Sequence, residues 1–217
     1  MEHRIPPVLR LVILDCDGVL FDSFRSNVAY YNSVLRGMGE PAMDEERERL
    51  SYVLSTPQLF ERLFSADPAK QALALRIASE MDYAPFLDYM DPEPGMYSVL
   101  EALRNRYRIA MATNRGKSVA PLLRGFRLEH TFEAVSSILE VKHPKPAPDL
   151  LLHCLETTGV SPHEAVYVGD MEIDLVAAES AGIPFVLKGL GFRHCLQIRS
   201  LLDLPAFLAG KKSAHWR

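Results

Sequence analysis

Short apolar runs alternate with helix-period stretches over most of the chain. Residues 11–14, 108–112, 134–136, 165–168 and 185–187 are brief, nearly unbroken apolar segments closed by turn residues. That pattern predicts strands buried on both faces. Between them, 97–105 carries Val99, Leu100 and Leu103 on one helical face, and 118–124, 148–157, 173–181 and 201–208 show the same periodicity. Strands alternating with helices predict a doubly wound α/β fold, a parallel sheet covered on both sides.

One segment interrupts the alternation. Between Asp22 and Asp91 no strand pattern stands out. Phe24, Val28, Tyr31, Leu35 and Met38 keep helical spacing, and Gly39 can end that helix. Residues 57–64 and 69–81 predict two more helices, and Asp91-Pro92-Glu93-Pro94-Gly95 predicts a hinge back to the sheet. The expected organisation is therefore an α/β core made of residues 1–21 and 92–217, with a small helical domain at 22–91 inserted into it. The mixed apolar faces of the insertion also allow one continuous core, but the proline-rich return favours a subdomain.

Composition narrows the classes. The 217 residues are 48% hydrophobic and 24% charged, as in an ordinary globular protein. A net charge of −4 gives no general attraction to nucleic acid or to anionic membranes. Lys211, Lys212 and Arg217 read as a solvated basic end. No apolar run reaches the roughly 18 residues of a membrane helix, and Asp15 and Asp17 break the one apolar stretch near the start, so no leader is expected. Cys16, Cys154 and Cys195 are too widely spaced for a disulfide framework or a zinc motif, which fits a reduced, cytoplasmic setting. Cys16 reads as a small packed residue rather than a reactive thiol.

The chemistry concentrates where predicted strands end. Asp15 and Asp17 directly follow the first strand. Either they share one side of the strand, or the turn at Gly18 folds Asp17 back over Asp15; in both cases two negative charges lie close and call for a cation. A free Asp has a pKa of about 3.9 and is a nucleophile at neutral pH. Thr113-Asn114-Arg115-Gly116 follows the strand at 108–112, where hydroxyl, amide and main-chain N–H groups can hold phosphate oxygens. Gly169-Asp170 follows the strand at 165–168, and Asp174 opens the next helix. Lys145 sits in a loop stiffened by Pro144, Pro146 and Pro148. In an open parallel sheet, ligands bind beyond the carboxyl ends of the strands, which is where these groups project. Taken singly, Thr113 reads as a helix cap, Asp174 as a first-turn acid and Lys145 as a surface residue. His143 reads as a loop residue, and Arg115 as either a substrate contact or a surface position. The Gly189-Leu190-Gly191 run starts like a dinucleotide fingerprint but has His194 where the third glycine belongs.

The ordered set Asp15-x-Asp17-Gly18-Val19, Thr113, Lys145 and Gly169-Asp170-x-x-x-Asp174 resembles the haloacid dehalogenase superfamily of phosphohydrolases. The insertion after the first motif resembles the small helical cap of its phosphoglycolate phosphatase and β-phosphoglucomutase branch. The resemblance implies a Rossmann-like core and a Mg²⁺-dependent phosphatase acting on a small phosphorylated metabolite. It further implies Asp15 as the nucleophile that becomes an aspartyl-phosphate, Asp17 as acid and base, and Thr113, Asn114 and Lys145 as phosphate contacts. Lys145 would also neutralise the nucleophile. Mg²⁺ would be held by Asp15, Asp170 and the main-chain carbonyl of Asp17, with Asp174 supporting the metal or Lys145 from behind. Met171 stands where the family often has Ser, which removes one supporting hydrogen bond. Dehalogenases and phosphonatases lack a carboxylate at the position of Asp17, so a phosphate ester is the expected substrate. No nucleic-acid or membrane partner is expected, and the chain is expected to be a monomer or homodimer. A phosphosugar mutase shares every one of these motifs, and a non-catalytic phosphate-binding protein on the same fold is the remaining alternative.

Overall fold

A computed structural model describes residues 4–191 and 195–210; the basic end at 211–217, the first three residues and His194 lie outside the described residues. The chain forms two compact units, Met1–Asp22 with Pro92–Arg217, and Ser23–Asp91.

The first unit is built on a six-stranded parallel sheet of β1 (Leu11–Leu14), β4 (Arg108–Ala112), β5 (Ala134–Ser136), β6 (Ala165–Gly169), β7 (Phe185–Lys188) and β8 (Leu196–Ile198). Two-residue strands, β2 (Phe21–Asp22) and β3 (Asp91–Pro92), mark where the chain leaves this unit and returns. The spatial order is β5-β4-β1-β6-β7-β8, every neighbouring pair parallel. Strand β1 is the pivot: the chain builds outward to β4 and β5 on one side, then crosses to β6 on the other. Such a reversal opens a crevice past the strand ends. All four residues of β1 are fully buried, as the unbroken apolar run requires of a strand covered on both faces.

One face of the sheet contributes Leu11, Ile13, Ala110, Ala165, Tyr167 and Phe185 to a core closed by α7 (Asp149–Thr158) and α8 (Glu172–Ala181). Helix α5 (Met96–Arg104) lies against β4 and against α9 (Leu204–Leu208). Its buried residues include Val99, Leu100 and Leu103, the face that periodicity selects. The short α6 (Val119–Gly125) follows β4.

The second unit is helical: α1 (Phe24–Gly37), α2 (Glu45–Val53), α3 (Thr56–Leu63), α4 (Pro68–Glu80) and a 3₁₀ turn at Ala84–Tyr89. Gly39, just past α1, has φ +74°, the left-handed geometry that ends a helix. Tyr31, Val34 and Leu35 of α1 pack with Leu59 and Phe60 of α3 and Ala74 and Ala78 of α4. The Tyr31 and Phe60 rings meet edge-on at 5.7 Å, and the Tyr31 hydroxyl lies 2.9 Å from Thr56 Oγ1.

Three elements depart from the expected pattern. Helix α2 begins Glu-Glu-Arg-Glu-Arg and has almost no apolar face; it is started instead by Asp44, whose side chain accepts from the Arg47 N–H at 2.9 Å, with three glutamates in the first turn. Strand β8 is a three-residue, half-buried edge strand, too short for alternation to register. The helix expected at 201–208 is a 3₁₀ turn, Leu201–Asp203, followed by α9, with Pro205 in its first turn where no N–H is needed.

Phe60 is fully buried at the centre of the helical unit. Phe60→Ala is expected to lower the unfolding free energy of that unit by about 3–5 kcal/mol, measured by denaturant titration.

Candidate active site

Strands β1, β4 and β6 are neighbours in the sheet, so the residues after each strand meet at one edge. Asp15 follows β1, Thr113 follows β4, and Asp170 follows β6. Asp15 is held at this edge by its own N–H, which donates to Val168 C=O at 2.9 Å, and Thr113 by its N–H to Ser136 C=O at 2.9 Å.

Lys145 is the hub. Its side chain is only 2% exposed, and its Nζ lies 2.8 Å from Asp15 Oδ1 and 2.7 Å from Asp174 Oδ1. It also donates to the Tyr167 hydroxyl at 3.0 Å. An ammonium has three protons, and these are three acceptors. Burial by itself lowers the basicity of Lys145, but the Asp15 and Asp174 carboxylates more than reverse this and hold it protonated. The ammonium is thus directed at Asp15, Asp174 and Tyr167.

Asp174 is buried and saturated. Its Oδ1 receives Lys145 Nζ and, at 2.8 Å, the Tyr167 hydroxyl. Its Oδ2 receives the main-chain N–H groups of Asp170 at 3.2 Å and Met171 at 3.0 Å. A carboxylate has about four acceptor positions, so Asp174 acts as a bracket between Lys145 and the Asp170 turn. The Tyr167 phenol is pushed well above its ordinary pKa by burial and by Asp15 and Asp174, so it stays a donor.

Asp15 Oδ1 takes Lys145 Nζ and the Cys16 N–H at 2.7 Å. Burial drives its carboxyl well above the usual range; Lys145 pulls it down, while Asp174, Asp170 and Asp17 push it further up. Asp15, Asp170 and Asp174 each offer an oxygen within 4.8 Å of the others. The three carboxylates outnumber the single ammonium, and burial together with the neighbouring acids penalises the charge on Asp15 unless a cation offsets it. A divalent cation with a preference for oxygen ligands fits that donor set in charge and in chemistry. Asp174 already receives four donors, so within this donor set it is engaged by the protein itself. The Cys16 thiol is raised well above its ordinary value by burial and then by Asp17, which leaves it an inert packed side chain.

The Asn114 side chain is engaged with Lys145. Its Oδ1 accepts the Lys145 N–H at 2.8 Å and its Nδ2 donates to the Lys145 C=O at 3.1 Å, a two-point clamp on the lysine's backbone. Arg115 is not a surface residue: its guanidinium forks onto Asp17, Nε to Oδ2 at 2.8 Å and Nη2 to Oδ1 at 2.6 Å. Thr113 Oγ1 accepts the Arg115 N–H at 3.1 Å, which closes the turn after β4. His143 stays at the periphery, 3.0 Å from Asp149 and largely exposed.

Tyr167 and Lys188 are residues of this edge that sequence reasoning did not single out. Lys188, the last residue of β7, donates to Gly18 C=O at 2.7 Å and pairs with Glu93 at 2.7 Å. The Glu93 N–H in turn donates to Leu20 C=O at 2.9 Å, which ties the loop after β1 to the returning chain. Nothing in a strand-end lysine or a strand tyrosine marks either role; only the length of the Tyr167 side chain on an otherwise aliphatic strand was a signal.

Residues 12–188 match the family described as haloacid dehalogenase-like hydrolase. Phosphoglycolate phosphatase 1 of Pseudomonas aeruginosa is 30% identical over 202 residues, spanning 88% of this chain and 72% of that protein. The fructose-1-phosphate phosphatase of Escherichia coli is 30% identical over 181 residues, or 81% of this chain and 94% of its own. The crystal structure of a subfamily IA hydrolase of the same superfamily, from Geobacter sulfurreducens, superposes with a TM-score of 0.78 at 34% identity, covering 93% of this chain and 97% of that one.

Gly18 offers a direct check of the acidic cluster. Its φ is +71°, and a Cβ there would fall 1.9 Å from Asp170 Oδ2. Gly18→Ala is expected to displace Asp170 and weaken divalent-cation binding by about 10–100-fold, read by calorimetric titration with Mg²⁺; unchanged affinity would remove Asp170 from the cation site.

Proposed function

The chain belongs to the haloacid dehalogenase-like hydrolase family, and on that premise we propose that it is a Mg²⁺-dependent phosphatase that cleaves a small phosphomonoester through an aspartyl-phosphate on Asp15. The observation that carries this reading is the buried Asp15–Lys145–Asp174 cluster with a second carboxylate, Asp17, two residues from the nucleophile. A divalent cation would offset the excess of carboxylates over ammonium in this cluster.

The ion would be held by Asp15, Asp170 and the main-chain carbonyl of Asp17, and it supplies neutralisation of charge on the transferring phosphoryl group. Lys145 and the Cys16 N–H pin Oδ1 of Asp15, so the carboxylate is presented in one orientation. Asp15 forms a bond to phosphorus as the ester P–O bond breaks, and Asp17, carrying a proton at a position other than the two its Arg115 fork occupies, gives that proton to the departing oxygen. Asp17, now a carboxylate, takes a proton from the water that attacks phosphorus in the second step. Inorganic phosphate leaves and Asp15 is restored. The Thr113 hydroxyl and the main-chain N–H groups of its turn hold the non-bridging phosphate oxygens, and Asn114 serves by fixing the Lys145 backbone.

The substrate class follows the relatives named for phosphoglycolate and fructose 1-phosphate: a small phosphorylated organic acid or sugar. Phosphate release from a panel of such esters tests this. Turnover of at least one ester is expected; an isomeric product with no free phosphate would indicate a mutase, and inert behaviour towards the whole panel would defeat the proposal. Asp15→Asn is expected to cut turnover by at least about 10³-fold with an unchanged circular dichroism spectrum. EDTA is expected to abolish phosphate release, with recovery on adding Mg²⁺; full activity in the chelator would exclude the metal.

A further inference from the structure

Arg115 lies two residues past Thr113, on the turn after β4, and reaches a carboxylate 98 positions earlier in the chain. Its side chain is 7% exposed, whereas that of Asp17 is 33% exposed. The contact is a two-point fork, with Nε and Nη2 each on a different oxygen of Asp17. Nη1 lies 3.4 Å from Ser118 Oγ, and the Arg115 C=O accepts the Ile138 N–H at 3.2 Å. The Arg115 backbone is thus fixed, and its guanidinium lies between Ser118 and Asp17. A planar fork fixes the plane and rotation of the carboxylate it holds, which a lysine cannot do.

We infer that Arg115 is the positioning residue for Asp17, aligning its carboxyl group for proton transfer and tying that alignment to the Thr113 turn that receives phosphate. This inference rests on the phosphatase reading, in which Asp17 is the proton donor and acceptor. Proton donation matters when the departing oxygen is a poor leaving group, as in an alkyl phosphate. It matters little for 4-nitrophenyl phosphate, whose phenolate leaves without help. A residue that aligns Asp17 therefore has a leaving-group signature, while one that binds phosphate or supports the fold does not.

The experiment compares kcat/KM for glycerol 2-phosphate and 4-nitrophenyl phosphate, because kcat/KM covers the step in which the leaving group departs. Arg115→Met is expected to lower the value for the alkyl ester by about 100-fold and for the aryl ester by less than about tenfold. Arg115→Lys keeps the charge but loses the fork, is expected to show the same selective loss, and serves in place of Arg115→Met if that variant does not fold. In an Asp17→Asn background the Arg115 substitution is expected to add little, since the two act as one unit. Equal losses on both esters, or full rescue by Arg115→Lys, would overturn the inference while leaving the phosphatase reading intact. If the unaltered chain leaves glycerol 2-phosphate intact, the alkyl ester of the panel that it does cleave takes its place in the comparison; failure to release phosphate from any ester of the panel would overturn both.

Discussion

The site depends on one buried ammonium. Lys145 sits among Asp15, Asp174 and Tyr167 with almost no access to water. A lone charge there would cost several kcal/mol, and removing either carboxylate partner would leave the ammonium poorly compensated. The converse constraint is as strong. The carboxylates outnumber the ammonium, and burial penalises their excess charge, which a divalent cation would offset.

Meeting those constraints takes four separated stretches of chain. The parallel sheet supplies three, since β1, β4 and β6 lie side by side and all end at the same edge. Lys145 comes from a loop, and its backbone is clamped to that edge by Asn114 rather than by any strand. Lys188 plays a comparable part from the end of β7, holding the Gly18 carbonyl and Glu93 together. Asp15, Asp17 and Asp174 thus each have a structural partner: Lys145 for Asp15, Arg115 for Asp17, and the Tyr167 hydroxyl for Asp174.

Much of this was legible from residue order. The five central apolar runs are strands within a residue of their expected ends, and the face of α5 that carries Val99, Leu100 and Leu103 is its buried face. Those runs are recognisable because a strand covered on both sides needs apolar residues at consecutive positions. What escaped notice was stabilised by other means. Helix α2 relies on a cap and first-turn charges instead of an apolar stripe, and β8 is held by pairing with β7 at a sheet edge. Beyond its length, Tyr167 carries no signal that sets it apart within its strand, although its hydroxyl completes the Lys145 shell.

Local order by itself determined that acidic, hydroxyl and basic groups follow strand ends, because strand and turn propensities act over a few residues and the ends of parallel strands gather at one edge. Tertiary structure decided which of these groups touch. The turn of Arg115 onto Asp17, the clamp of Asn114 on Lys145 and the saturation of Asp174 are contacts between segments distant in sequence or between a side chain and a folded turn. Such contacts depend on strand order and side-chain reach, which no local pattern encodes, and they assign each charged group its partner.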